Sequence, residues 1–199
     1  MNIRTLGVIA IIGRPFLGMD FTISSLQENY RASSLSGFFS LRYMAGWLCS
    51  IVALYRVCAA GNSNIGKSIL VVQVALLSLG EAWKVYAIVQ PAATTVLFKT
   101  LDLFWPVSNC FMLFTGLAVL FSKQVRAWKR YIPLVVGLWF PITLFLVPRL
   151  LGGNTVTLYI SSFYSAVGWL LLGISVYSSA RTKKIIYPEE TIARLQPTA

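Results

Sequence analysis

Histidine is absent from the 199-residue chain, and Asp and Glu together number only six. Without an imidazole there is no Ser-His-Asp triad, no histidine proton relay, no His-ligated haem and almost none of the common zinc sites. Cysteine is scarce as well. Cys49, Cys58 and Cys110 share no pairing pattern, and each lies in or beside an apolar run, where a thiol packs as a small apolar side chain. No metal centre, cofactor site or catalytic constellation is expected from these residues.

Charge of either sign is also rare. Charged residues make up 12% of the chain, against about 25% in a soluble domain. Hydrophobic residues make up 57%, and the mean hydropathy is +0.72. Such a chain cannot cover a water-facing surface with polar groups, so the expected class is an all-α integral membrane protein with the bilayer as solvent. The formal net charge is +11. In a soluble protein this would suggest nucleic acid, but no basic helix or basic-aromatic sheet pattern lies outside the apolar segments. The excess is expected to report topology and attraction to anionic lipid.

Apolar runs, measured against the ~20 residues that cross a bilayer, predict a bundle of six spans at 4–22, 36–59, 67–90, 95–122, 131–150 and 156–179. Residues 1–180 then form one transmembrane domain, and 181–199 a short polar tail. The start, Arg4 followed by LGVIAII, has the makings of a signal peptide. Arg14-Pro15 interrupts it, however, and no small-residue cleavage pattern follows, so it reads as a first span. With the N-terminus inside, most Lys and Arg fall on the inner side. These include Arg56, Lys67, the stretch Lys123, Arg126, Lys129 and Arg130, and the tail cations from Arg181 onward. Both termini are therefore expected in the cytoplasm, and the protein in a plasma or inner membrane.

The stretch GNSNIGKS at 61–68 matches G-x-x-x-x-G-K-[ST], the phosphate-binding loop. That loop needs a strand before it and a helix after it in an α/β sheet. Here it falls in a short turn between spans two and three, so the match is read as turn chemistry. Gly61 suits a helix end and Asn64 a helix start.

Among the ionisable residues within spans, five stand out: Arg14, Arg42, Glu81, Lys84 and Asp102. A charge near the bilayer centre costs at least ~2.5 kcal/mol, so each needs a partner, water or a function. Spans three and four meet in a tight turn near Ala92-Ala93. Lys84 lies about nine residues before that turn and Asp102 about nine after it, so at ~1.5 Å rise per residue they share a depth. Similar reasoning brings Arg14 and Arg42 to the same layer. Three cations against two carboxylates leave one positive charge, which suits an anionic ligand. Pro15, Pro106 and Pro141 each free a helix carbonyl four residues earlier. Asn109, near Pro106, and Tyr164, in the hydroxyl-rich start of span six (TLYISSFYS), are candidate hydrogen-bond donors.

The expectation is a non-enzymatic protein that binds or transports a small anionic or amphiphilic ligand in the outer half of the bundle. The predicted ligand-binding residues are Arg14, Arg42, Glu81, Lys84, Asp102, Asn109 and Tyr164. An accessory subunit with a membrane-protein or self-association partner is the alternative, and a lipid-directed enzyme the third. A faint repeat relates YMAGWLCSIVALY at 43–55 to YSAVGWLLLGISVY at 164–177.

Overall fold

A computed structural model describes residues 1–27, 30, 33–90, 94–125, 127–152 and 155–186. The side chains of 14, 21, 25, 155 and 180–186 fall outside that description. Among the described residues the chain is helical throughout, without a strand. The helices are α1 (Ile3–Ile12), α2 (Arg14–Leu26), α3 (Ser34–Arg56), α4 (Asn64–Val89), α5 (Val96–Asp102), α6 (Phe104–Ser122), α7 (Ile132–Pro141), α8 (Val147–Leu151) and α9 (Thr155–Ile186). Together they make six segments long and apolar enough to cross a membrane: Ile3–Ser24, Ser34–Arg56, Asn64–Val89, Val96–Ser122, Ala127–Leu151 and Val156–Ser179. These agree with the hydropathy-based spans to within a few residues. The last helix runs on to Ile186, past the expected start of the polar tail. Residues 187–199 of that tail lie outside the described residues.

Three spans are broken where a proline removes a backbone donor. Span one divides at Gly13, just before Pro15, and span four at Leu103, three residues before Pro106. In span five the helix widens into a π-helix over Ile142–Leu146 directly after Pro141. Three helices begin at hydroxyl caps. Ser33, Ser63 and Thr95 accept from the backbone N–H of Ser36, Gly66 and Phe98 at 3.3, 3.2 and 3.2 Å. Ser63 is therefore the cap of α4, and Asn64, expected in that role, is the first helical residue. The serine hydroxyl sits one residue earlier, in extended backbone, from which it reaches the third N–H.

The same turn answers the phosphate-loop match. Gly61 takes a φ of +93°, and a Cβ on Gly66 would lie 2.1 Å from the Ala60 carbonyl oxygen. Ser122 Oγ donates to the Ala59 carbonyl, tying the turn to the end of α6. The preceding element is α3, a helix. These residues are what a tight helix–helix turn requires.

Each span packs on the next in sequence, and the sixth returns to the first, so the bundle is a closed ring with α3 also touching α9 across it. Its centre is aromatic. Trp47 and Trp169 meet edge to face at 5.3 Å, Trp139 joins Trp169 at 5.6 Å, and Trp105 joins Trp139 at 6.1 Å. Trp47 and Trp169 are the matching tryptophans of the faint repeat. Gln73, wholly buried, donates to the Ser108 carbonyl at 3.1 Å and accepts from Thr115 Oγ1 at 3.3 Å, fixing α4 against α6. Large apolar side chains such as Phe121, Phe145 and Phe163 face outward, as a lipid-facing surface requires.

Small residues let the ring close. A Cβ at Gly116 would lie 2.4 Å from Leu134 Cα, and one at Gly137 2.6 Å from Leu113 Cα. Spans four and five thus approach through reciprocal glycines. A Cβ at Gly168 meets nothing nearer than Val136 Cγ2 at 3.7 Å. Gly137→Val is therefore expected to lower stability by about 2 kcal/mol or more, because backbone must move. Gly168→Ala should be neutral or stabilising by up to ~1 kcal/mol. Unfolding of the two variants in detergent checks this; equal effects would contradict it.

Candidate functional site

The ring is not filled at the end opposite the N-terminus. A cavity of about 480 Å³ opens there, within the size range of small-molecule sites. Four consecutive spans line it. The last turns of span one give Leu17, Asp20 and Ser24, which share one face of α2. The first turns of α3 give Ser36, Gly37, Ser40, Tyr43 and Met44. The end of α4 gives Trp83, Lys84 and Ala87, and span four gives Phe98, Asp102 and Trp105. Helical spacing explains the grouping, since residues three, four and seven apart lie on one face.

Asp20 is held by α3. Ser36 Oγ donates to its Oδ1 at 2.9 Å and Ser40 Oγ to its Oδ2 at 3.1 Å. Both serines are buried, and they sit one helical turn apart, so each carboxylate oxygen receives one hydroxyl. Tyr30, buried in the connection between spans one and two, lies close to the same carboxylate. Burial, and then the neighbouring Asp20, push its phenol well above the usual tyrosine range. Lys84 lies in the attractive field of both Asp20 and Asp102, with its ammonium 3.5 Å from the centre of the Trp83 ring. Asp102 ends α5, and Pro106 has no N–H for its carbonyl. The helix break thus lies beside the carboxylate.

The sequence-based site is partly gathered here. Lys84 and Asp102 share the cavity, at the common depth that the hairpin argument gives. Glu81 does not line it; the side chain is half-buried one turn away, and its Oε1 has no hydrogen-bond partner. Arg42 is exposed on the outside of α3, its guanidinium over the rings of Phe38 at 4.5 Å and Phe16 at 5.2 Å. Asn109 is buried below the cavity and donates to the Trp105 carbonyl at 2.8 Å. Tyr164 donates to the Val135 carbonyl at 2.8 Å, joining spans five and six. The Arg14 side chain lies outside the described residues. In span six, Ser161, Ser162 and Ser165 turn their hydroxyls back on their own helix.

Sequence reasoning missed Asp20, Ser36 and Ser40, and the rings of Trp83, Phe98 and Trp105. A signal was present. Asp20 lies nine residues before position 29, the middle of the 23–35 connection, and Ser36 and Ser40 lie seven and eleven after it, so their depths agree to within about one helical turn. Among the described residues no group of three or more His, Cys, Asp or Glu gathers as a metal site would need. The described lining offers carboxylates, one ammonium, hydroxyls and ring faces. Comparison of the chain with protein-family models, curated proteins and solved structures finds no match.

Removing the Asp20 carboxylate strands two buried hydroxyls. Asp20→Ala is expected to cost about 1–2 kcal/mol of stability, with interhelical bonds in membranes averaging ~0.6 kcal/mol each. Asp20→Asn, which keeps an acceptor and the shape, should cost less than about 1 kcal/mol. Melting temperatures of the two variants check this. An Asp20→Ala protein as stable as wild type would contradict the hydrogen-bonded arrangement.

Proposed function

We propose that this chain is a multi-pass protein of a plasma or inner membrane that binds, or moves, a small amphiphilic ligand in the cavity. The observation that carries the reading is the cavity itself. About 480 Å³ of space is lined by two carboxylates, an ammonium and four aromatic rings. A water in liquid occupies roughly 30 Å³, so the space is far larger than a few waters need. A purely structural ion-pair network, as an accessory subunit would use, is expected to be closed and dry. A lining that combines charged groups with ring faces suits a ligand with a charged group and an apolar body.

In this reading both termini are cytoplasmic and the cavity faces outward, as the Lys and Arg bias favours. Reporter fusions test the orientation. A phosphatase active only outside the cytoplasm is expected to work when fused after Gln90 and to be silent after Gln124. The reverse pattern would turn the cavity inward.

Binding is tested by melting the purified protein with a panel of amines, carboxylates, phosphates and lipids. A ligand at 100 times its Kd stabilises by about 2.7 kcal/mol, which for ~200 residues raises Tm by roughly 5–10 °C. Wild type and Arg42→Ala, altered outside the cavity, should both respond to the same compound, and Asp102→Asn should not. If no compound raises the Tm of wild type, the cavity is not a ligand site and a membrane-protein partner becomes the better reading.

A further inference from the structure

The charge and surface of the lining point to the chemical class of the ligand, an inference that rests on the cavity being a binding site. Among the described lining side chains, Asp20 and Asp102 set two negative charges against the single ammonium of Lys84. Counting by depth alone gives the opposite balance, three cations to two carboxylates. Of those five, Lys84 and Asp102 line the cavity, Glu81 does not, and the Arg14 side chain lies outside the described residues. Arg42 lies at the right level but its charge rests on Phe16 and Phe38, outside the cavity. Asp20, at the same end of the bundle, points in.

The carboxylates retain capacity. Asp20 accepts one serine hydroxyl at each oxygen and has the Tyr30 phenol beside it, and a carboxylate offers about four lone-pair sites, so room for a further donor remains. The rings act in the same sense. Tyr43, Trp83, Phe98 and Trp105 all line the space, and a ring face attracts a cation within about 6 Å. Lys84 over Trp83, at 3.5 Å, is an ammonium already held in this way. Among the described lining groups, an anion would find one favourable charge and be opposed by two carboxylates and the negative ring faces. A cation would find the reverse.

We propose that the cavity takes a ligand with a cationic ammonium group and an apolar body. Asp20 and Asp102 hold the ammonium, and Tyr43, Trp83, Phe98 and Trp105 pack on the rest. Lys84 balances part of the acidic charge while the site is empty and limits the ligand to one net positive charge. A soluble organic amine and the ammonium headgroup of a lipid carry the same recognition chemistry.

The test uses the full-length protein in phosphatidylglycerol nanodiscs and three probes of matched shape: phenethylamine, phenethyl alcohol and 3-phenylpropionate. Binding is read by Tm and by tryptophan fluorescence. Phenethylamine is expected to bind at least tenfold more tightly than the other two. Asp102→Asn should lose that preference at least tenfold, and Asp20→Asn, which preserves the hydroxyl contacts, serves if Asp102→Asn does not fold. Tighter binding of 3-phenylpropionate, abolished by Lys84→Met, would overturn the ammonium class and leave the cavity as a ligand site. Equal binding of the alcohol and the amine would do the same. Binding of none of the three would overturn both. The source is read by repeating the titration in phosphatidylethanolamine nanodiscs. Unchanged affinity assigns the site to soluble amines, and loss of probe binding assigns it to the lipid headgroup.

Discussion

A carboxylate at the end of an apolar bundle has to be held by donors and counter-charge that the bundle supplies. Everything distinctive about the cavity end of this molecule follows from that constraint at Asp20. Withdrawing a carboxyl group from water without partners is costly, and here the hydrogen-bond partners come from α3. Ser36 and Ser40 are spaced by four, so one helix face presents two hydroxyls to the two carboxylate oxygens. Lys84 supplies the opposite charge from α4, and Asp102 shares it from span four. Four helices are thus drawn to one polar centre. Close packing of aromatic rings below it, from Tyr43 to Trp47, Trp169, Trp139 and Trp105, separates that centre from the rest of the core.

The rest of the ring is built to close. Spans four and five meet through Gly116 and Gly137, and spans one and six through Gly7 and Gly173; backbone stands where a Cβ would at Gly116, Gly137 and Gly7, and Gly173 is tight against Ile11 at 3.0 Å. Dispersion and short interhelical hydrogen bonds hold such contacts, since lipid and side chains are equally apolar. The cavity lies where this tight packing gives way to long side chains of mixed polarity. Helix breaks lie beside it: span four divides at Leu103, between the lining residues Asp102 and Trp105, and span one at Gly13, one turn before Leu17. Tight packing on one side and a space on the other is an arrangement suited to a site that must keep its shape when empty.

Hydropathy made the six spans legible because crossing a bilayer demands length and apolarity, both of which are local properties. Depth was legible too, since residues equidistant from a hairpin turn lie level. That rule placed Lys84 with Asp102, and applied to the first connection it places Asp20 with Ser36. Rotation about the helix axis was not legible. Arg42 has a suitable depth and the wrong direction, with its charge satisfied by two neighbouring rings. Asn109 and Tyr164 have suitable chemistry, but backbone carbonyls of Trp105 and Val135 take their hydrogen bonds. The first is a local bond to the carbonyl four residues earlier on the same helix, and the second crosses to span five, a partner set by helix packing. Asp20 escaped notice because it sits among Gly18, Met19, Phe21 and Thr22, near the end of the weakest apolar run, where an acid looks like a helix terminus.

The central claim is that water and solutes enter this cavity from one side of the membrane. Thiol labelling tests it most directly. Ala87 is a small lining residue and Leu77, lower on the same helix, is wholly buried. With Cys49, Cys58 and Cys110 replaced by alanine, a membrane-impermeant thiol reagent is predicted to label Ala87→Cys from the outer side and to leave Leu77→Cys unmodified. An Ala87→Cys protein as inert as Leu77→Cys would mean that the polar centre is sealed, and that its charges serve the fold alone.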